Sequence, residues 1–254
     1  MRLDGKVVVI TGAGAGMGRA IAHRFATEGA QLVLGVIDAE RLDDVVGEIR
    51  AAGGTVTGVV GNVAQRADAE QLVQTAIDTY GALDVLVNNA GIMDNFEGIA
   101  NFTDAQYERV FGVNLYGPMV LSSAAVRFMK EHGGGAIINV ASAAGVGGAS
   151  AGVIYTASKH AVIGLTRNTA YTYAPNGIRC NAIIAGAVST SIGTSMDPTK
   201  MDQEALARYS QYHALAPGQL QPEEIANLAL FLAGDESTMI NGALVAADAG
   251  WLSA

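Results

Sequence analysis

The feature of this sequence that most constrains its fold is a repeated alternation between two kinds of segment. Short runs rich in Val and Ile, without a regular polar alternation, are typical of strands buried on both faces. Between them lie longer stretches with apolar residues at helical spacing. The predicted strands are residues 7–10, 31–36, 55–60, 85–88, 136–140, 179–184 and 243–246. The predicted helices are residues 19–28, 39–52, 67–80, 104–130, 155–174 and 222–232.

This alternation predicts an α/β fold: a single-domain, doubly wound, Rossmann-type sheet of about seven parallel strands, with helices on both faces. No Pro/Ser-rich linker or low-complexity tract interrupts the pattern, so residues 1–254 are predicted to form one domain. The segment from residue 185 to residue 221 is long for a connection between a strand and a helix. We expect it to form a lid over a site rather than a plain loop.

Composition excludes several classes of protein. Lys and Arg number 15 against 24 Asp and Glu, and the resulting net charge of −9 disfavours binding to nucleic acid or to an anionic membrane. Cys180 is the single cysteine, and it cannot form an intrachain disulfide. The four scattered histidines have no metal-ligand spacing, and no stretch approaches the roughly 18 apolar residues of a membrane span. We therefore expect a cytoplasmic protein with no metal.

A glycine-rich loop follows the first predicted strand. It has the pattern T-G-x-x-x-G-x-G, with Gly12, Gly16 and Gly18 as its glycines. Glycines permit a tight turn and a close backbone approach, so the amides at the start of the next helix, near Met17, can face a pyrophosphate. The alternative is an ordinary glycine-rich turn between a strand and a helix.

Tyr155 and Lys159 stand four residues apart and are neighbours on one face of a predicted helix. Acid/base chemistry near neutral pH requires the tyrosine pKa to fall by roughly 3 units, about 4 kcal/mol of differential interaction. A nearby cation is the direct way to lower this pKa. The alternative is a solvated helix face on which the two residues have no joint role.

Taken together, the motifs resemble the classical short-chain dehydrogenase/reductase family over essentially the whole chain. The resemblance rests on the order and spacing of residues 11–18, the Asn-Asn-Ala-Gly sequence at 88–91 after the fourth strand, Asn114, Ser142, and Tyr155-x-x-x-Lys159.

The resemblance implies a catalytic role for four residues. Tyr155 is the general acid/base, and Lys159 lowers its pKa and binds the nicotinamide ribose. Ser142 holds and polarises the substrate oxygen, and Asn114 positions a water that leads protons from Lys159 to solvent. Without the other motifs, Ser142 would be read as a turn serine and Asn114 as a hydrogen bond in a helix interior.

The resemblance also implies a nicotinamide dinucleotide cofactor. Asn62 and Val63 stand where the family often has Asp-Val in contact with adenine. Val188 and Thr190 match the segment that contacts the nicotinamide carboxamide, although Thr190 could equally be an ordinary loop hydroxyl. The expected cofactor-binding residues are Gly12, Gly16, Met17, Gly18, Asp38, Asn62, Val63, Asn89, Ala90, Gly91, Tyr155, Lys159, Val188 and Thr190.

The choice between NAD and NADP depends on the end of the second strand. NAD-preferring members usually carry an acidic residue where this chain has Val36, and Asp38 lies two residues further on. NADP-preferring members place a basic residue where this chain has Ile37 or Ala15. The sequence therefore predicts NAD, with NADP less favoured. Asp38 could also cap the following helix, and Arg41 is the cation that could serve NADP from elsewhere.

The function predicted on these grounds is hydride transfer between NAD and a secondary alcohol or ketone. The only cations of the predicted lid are Lys200 and Arg208, which suits a neutral, fairly apolar substrate, unless the apolar lid residues merely seal the lid against the core. The alternative is a catalytically silent protein of the same fold that senses a nucleotide or has a structural role. The long predicted helices 104–130 and 155–174 carry apolar residues on more than one face, so we expect a homodimer or homotetramer.

Overall fold

A seven-stranded parallel sheet forms the centre of the molecule. The computed structural model describes residues 1–253. The strands are β1 (Val7–Thr11), β2 (Gln31–Val36), β3 (Thr55–Val60), β4 (Val85–Asn88), β5 (Gly135–Val140), β6 (Ile178–Ala185) and β7 (Leu244–Ala247). Their order in the sheet is β3-β2-β1-β4-β5-β6-β7, and every neighbouring pair is parallel. The predicted fold class is thus confirmed.

Helices cover both faces of this sheet. The helices are α1 (Gly16–Thr27), α2 (Ala39–Ala51), α3 (Arg66–Tyr80), α4 (Asp104–Phe111), α5 (Gly117–Met129), α6 (Val153–Tyr173), α7 (Gln203–His213) and α8 (Pro222–Ala233). On one face, Val8 and Ile10 of β1 share an apolar core with α1, α2 and α8, while Val7 and Val9 share the opposite core with α3, α5 and α6. Successive side chains of a strand point to opposite faces, and both faces are buried, which explains the absence of polar alternation.

None of the helices within residues 1–253 is both long enough and apolar enough to cross a lipid bilayer.

The predicted helix over residues 104–130 is not one regular helix. A π-helical turn, Gly112–Tyr116, separates α4 from α5. At its end, a Cβ added to Gly117 would lie 2.9 Å from the carbonyl oxygen of Val63, so the wide turn occurs where the helix presses on the segment after β3. Such turns frequently occur at functional sites, and this one contains Asn114.

Helix α7 was missed by the sequence analysis. It lies inside the long segment 185–221 that the sequence predicts as a lid. None of its residues is fully buried, and its apolar stripe of Ala205, Leu206, Tyr209 and Tyr212 is only half-buried.

The strand order places a crevice between β1 and β4. The chain leaves β1 towards β2 on one side, and later returns to β4 on the other side. Connections that diverge in this way leave an opening at the carboxyl ends of the strands, which is where open α/β sheets bind ligands.

Candidate active site

The glycine loop is held tightly against the end of β4. Gly12 and Gly16 have φ values of 66° and 51°, a conformation that glycine adopts without the strain other residues incur. A Cβ on Gly12 would lie 2.9 Å from the Cα of Ala90, and one on Gly18 would overlap the carbonyl oxygen of Gly12. These glycines are therefore required by the packing of the loop as well as by its turns.

Thr11 and Asn89 fasten this loop to the strand. The Thr11 hydroxyl accepts hydrogen bonds from the amides of Asn89 and Ala90, both at 3.1 Å. The Asn89 side-chain amide donates to the carbonyl oxygens of Thr11 at 2.9 Å and Gly12 at 3.2 Å. Asn89, expected to bind cofactor, thus uses its side-chain nitrogen to hold the loop.

The N-terminus of α1 is open to an anion. Its N-cap, Ala15, has no side chain that could accept a hydrogen bond, and the first turn contains no acidic residue. The amides of Gly16, Met17 and Gly18 therefore lie at the positive end of the helix dipole without a competing carboxylate. This arrangement suits a pyrophosphate.

A cleft of about 350 Å³ extends from this loop across the carboxyl ends of β1, β2 and β3. Its shape and lining fit an extended dinucleotide, with glycines at the centre and Asp38 at one end. Gly18 lies beneath the loop, whereas Val188 and Tyr155 line a neighbouring cavity. The predicted cofactor-binding residues that line the cleft are Gly12, Gly16, Met17, Asp38, Asn62, Val63, Asn89, Ala90, Gly91 and Thr190.

At the outer end of the cleft, Asp38 caps α2. Its carboxylate accepts a hydrogen bond from the Arg41 amide at 3.2 Å, and the Arg41 Nε lies 3.4 Å from the other carboxylate oxygen. Arg41, which the sequence analysis named as the cation that could serve NADP, also lines the cleft. Asn62 uses its side-chain oxygen locally, accepting from the Ala64 amide at 3.0 Å.

Tyr155 and Lys159 lie on the buried face of α6. They are only 6% and 4% exposed, so the solvated helix face considered as the alternative is wrong. The Lys159 Nζ donates a hydrogen bond to the carbonyl oxygen of Val140 at the end of β5, 2.9 Å away. The same nitrogen lies 5.5 Å from the centre of the Tyr155 ring.

Asn114 reaches the same place from the π-helical turn. Its side-chain oxygen accepts from the Ile92 amide at 2.9 Å, and its nitrogen donates to the Ile92 carbonyl at 3.0 Å and to Ser158 at 3.1 Å. A Cβ added to Gly91 would lie 3.5 Å from the Lys159 Nζ and 3.6 Å from the Asn114 Oδ1, so both groups surround this glycine. Asn114 therefore forms hydrogen bonds outside its own helix, with the segment after β4 and with α6.

Burial controls the protonation of the two central groups. It raises the pKa of Tyr155 to about 12; the hydrogen bond with Ser142 acts in the opposite direction, and the Asp94 carboxylate adds to the increase. Burial also lowers the pKa of Lys159 to about 8. In the protein by itself the tyrosine pKa is therefore raised rather than lowered as expected from the sequence, because removal of the phenol from water is the largest effect on it. At neutral pH the phenol carries its proton.

A second cavity, of about 470 Å³, adjoins the dinucleotide cleft. Ser142 and Tyr155 lie in its wall, and Met17, Thr190 and Ile192 line both spaces. A molecule in this cavity would therefore meet Tyr155 on one side and the end of a bound dinucleotide on the other.

Three residues of this cavity were missed by the sequence analysis. His213 comes from α7, and its ring Nε2 lies 3.0 Å from the carbonyl oxygen of Ser150. Trp251 comes from the C-terminal segment and packs edge-on against His213 with 5.9 Å between ring centroids. The hydroxyl oxygen of Ser150 is buried with no partner among the described residues, which leaves it available to a ligand. The aromatic residues at 209–213 were the only feature of the sequence that could have indicated this part of the cavity wall.

Comparison with known proteins agrees with this geometry. A family model described as enoyl-(acyl carrier protein) reductase matches residues 12–252. The 3beta-hydroxysteroid dehydrogenase 2 of Eggerthella lenta is 41% identical over 250 residues, covering 98% of this chain and 95% of the relative.

Two solved structures share the fold. A short chain dehydrogenase from Mycobacterium paratuberculosis bound to NAD has a TM-score of 0.91 at 30% identity, covering 100% of both chains. A protein from Beutenbergia cavernae with NADP at low occupancy has a TM-score of 0.87 at 34% identity, covering 99% of this chain and 98% of that chain. The chain therefore belongs to the classical short-chain dehydrogenase/reductase family of NAD(P)-dependent oxidoreductases.

The buried ammonium of Lys159 leads to a prediction about stability. Because its pKa is about 8 in the folded protein and 10.5 as the ordinary value, the unfolded chain binds more protons between these limits. The difference between the two free energies of unfolding, wild type minus Lys159→Met, should therefore rise by about 3 kcal/mol as the pH increases through this interval. Urea unfolding at pH 7 and pH 10 measures it.

Lys130→Met, which removes an exposed lysine next to α5, controls for the general loss of a lysine charge. A difference between wild type and Lys159→Met that stays constant over this pH range would contradict the prediction.

Proposed function

We propose that the protein transfers a hydride between a nicotinamide cofactor, with NAD favoured, and a secondary alcohol or ketone. The observation that carries this proposal is the buried pair Tyr155 and Lys159. Tyr155 lies with the half-buried Ser142 in the wall of the second cavity, and Lys159 lies beside Gly91 of the dinucleotide cleft. A nucleotide sensor or a structural protein of this fold does not require a buried phenol and ammonium, which are costly to maintain.

The roles of the protein groups follow from their positions. The bound cofactor supplies or accepts the hydride at its nicotinamide ring. Tyr155 as the phenol donates its proton to the carbonyl oxygen during reduction, and as the phenolate it accepts the hydroxyl proton during oxidation. Ser142 donates a hydrogen bond to the same oxygen, and Lys159 provides positive charge beside the phenol. Asn114 supports the segment that follows β4, and water positioning is the further role we assign to it.

The lining of the second cavity favours a neutral, fairly apolar substrate. Among the described residues, no Lys, Arg, Asp or Glu lines it, whereas Met93, Val188 and Trp251 contribute apolar surface. The Eggerthella lenta relative is named for a hydroxysteroid, which has this character. Lys200 and Arg208, the cations of the lid, are exposed and do not line the cavity.

We expect purified protein with NAD to oxidise secondary alcohols from a panel, and with NADH to reduce the matching ketones. Tyr155→Phe should abolish turnover while leaving the Kd for the cofactor nearly unchanged, because only the proton-transfer group is removed. Nicotinamide absorbance follows turnover, and calorimetric titration gives the Kd.

Tyr171→Phe is a matched control, since Tyr171 lies on the same helix and is 88% exposed. Ser142→Ala should reduce kcat by about 100-fold, the usual effect of removing one donor to a developing oxyanion. Wild-type turnover by Tyr155→Phe would disprove the mechanism, and efficient turnover of a dicarboxylate or phosphorylated substrate would disprove the substrate class.

The preference for NAD is proposed from the outer end of the cleft. Asp38 presents a carboxylate where the ribose hydroxyls of a bound dinucleotide would lie, and its ion pair with Arg41 neutralises the cation that a 2′-phosphate would need. Ile37, 69% exposed at the edge of the same cleft, adds no charge.

The wild type should show a higher kcat/KM with NAD than with NADP, and Ile37→Arg combined with Asp38→Ser should shift this ratio towards NADP. The double substitution introduces one cation and releases another, Arg41, from its carboxylate partner. Asp43→Ser is the control, because Asp43 is exposed on α2 and does not line the cleft. A wild-type preference for NADP would show that Arg41 binds the phosphate in spite of Asp38.

We also propose that the chain assembles as a homodimer or homotetramer in the cytoplasm. Tyr107, Tyr116 and Met119, along α4, the π-helical turn and α5, are each at least 40% exposed, and Tyr171 on α6 is also exposed. The family commonly pairs these helices across a two-fold axis. Cys180 is buried, and burial raises the pKa of its thiol to about 12, which suits a thiol that stays reduced.

Light scattering at micromolar concentration should give a mass at least twice that of one chain, and Met119→Glu should reduce it. A charge at this position would have to be desolvated in the interface. Met239→Glu, a substitution at an equally apolar but 93% exposed residue away from these helices, should leave the mass unchanged. A monomeric wild type would disprove the assembly.

A further inference from the structure

The catalytic helix α6 is capped by a segment distant in sequence. Its N-cap residue, Gly152, has no side chain that could accept from the first-turn amides. Instead, the Asp94 carboxylate accepts from the Tyr155 amide at 2.9 Å, and the Glu97 carbonyl oxygen accepts from the Val153 amide at 2.9 Å. The first turn of α6, including Tyr155, is therefore held by residues 93–98, which we term the capping segment.

Asp94 is held within this segment by unusual means. It is fully buried, and its other oxygen accepts from the Phe96 amide at 3.1 Å. Phe96 has a φ of 61°, a strained conformation for a residue with a side chain. A Cβ on Gly152 would overlap the Asp94 carboxylate. A buried carboxylate and a strained residue are both costly, and they occur together where the chain meets the catalytic tyrosine.

The capping segment also holds the lid. The Asn95 carbonyl oxygen accepts from the Asp202 amide at 3.2 Å, and its side-chain oxygen accepts from the Asp197 amide at 3.0 Å. The Phe96 ring packs against Tyr209 and His213 of α7, with ring centroids 6.1 and 5.9 Å apart. The same six residues therefore contact the lid on one side and the catalytic helix on the other.

We propose that Asp94 is a positioning residue for the reaction, whose carboxylate group fixes Tyr155 through its main-chain amide and connects it to the lid. This proposal rests on the catalytic role proposed above for Tyr155. The carboxylate acts through the helix and through its charge, and it touches neither the substrate cavity nor the dinucleotide cleft.

Several titratable groups surround Asp94. Glu97 lies on the capping segment, Tyr155 on α6, and Tyr209 on α7, where Asp202 also acts on it. His213 packs on the Phe96 ring, and Arg109 of α4 donates a hydrogen bond to the Met93 carbonyl oxygen at 2.7 Å. The Lys159 Nζ lies 5.5 Å from the centre of the Tyr155 ring. Of these groups, Asp94 is the carboxylate that raises the pKa of Tyr155, so its removal should make the phenolate easier to form.

Asp94→Asn tests the proposal. The amide can accept from one backbone N–H, but its nitrogen conflicts with the other, so Tyr155 should lose its fixed position. We expect kcat for alcohol oxidation to fall at least about ten-fold, with an unchanged Kd for NAD. The midpoint of the pH dependence of kcat should move to lower pH, because the Asp94 charge raises the pKa of Tyr155.

Asp94→Ser, whose hydroxyl can still accept one amide, is the second variant should Asp94→Asn fold poorly, and it should show the same shift of the midpoint. Asp84→Asn is the matched control. The Asp84 carboxylate also accepts a hydrogen bond from a backbone amide, that of Val7 at 2.8 Å, but at the amino ends of β1 and β4, opposite to the carboxyl ends where the site lies. This variant should change neither kcat nor the midpoint.

Hydrogen exchange separates this proposal from the proposed function. The amides of residues 153–156 should exchange faster in Asp94→Asn than in wild type, whether or not any alcohol is turned over. If the wild type oxidises no alcohol, the proposed function fails while exchange still tests the cap. Unchanged kcat and midpoint in both Asp94 variants, or unchanged exchange at these amides, would overturn the role of Asp94.

Discussion

The site depends on the contact between the end of β1 and the end of β4. Parallel strands finish at one edge of the sheet, and the reversal of strand order at β1 opens a crevice there. The side chains of Thr11 and Asn89 join the two strand ends through hydrogen bonds of 2.9 to 3.2 Å. This contact leaves no space for a Cβ at Gly12 or Gly18, so the glycine pattern follows from it.

The chemistry depends on keeping two ionisable groups out of water. A phenol with a pKa of about 12 and an ammonium with a pKa of about 8 both resist ionisation. The Val140 carbonyl and Ser142 provide polar partners, but they do not replace solvent completely. In the protein alone, the Tyr155 phenol therefore keeps its proton at neutral pH.

The capping segment shows how a catalytic helix can be fixed from outside its own sequence. An internal N-cap side chain at residue 152 would occupy the space of Asp94. With glycine there, the cap comes from a segment that also binds the lid through Asn95 and Phe96. A movement of the lid would thus act on the first turn of α6 through a few short hydrogen bonds.

The local sequence determined the strands, most of the helices and the choice of candidate catalytic residues. Buried runs of Val and Ile, the glycine loop and the Tyr155-x-x-x-Lys159 spacing are all short-range patterns, and the parallel sheet of about seven strands followed from the alternation of strands and helices. The tertiary structure alone decided the rest. The contacts of Tyr209 with Phe96 and of Tyr212 with Trp251, which hold α7, join segments far apart in the chain. The π-helical turn at Asn114 lies where Gly117 presses on Val63. The role proposed for Asp94 and the raised pKa of Tyr155 come from burial and from partners that are brought together only by folding, which no spacing along the chain records.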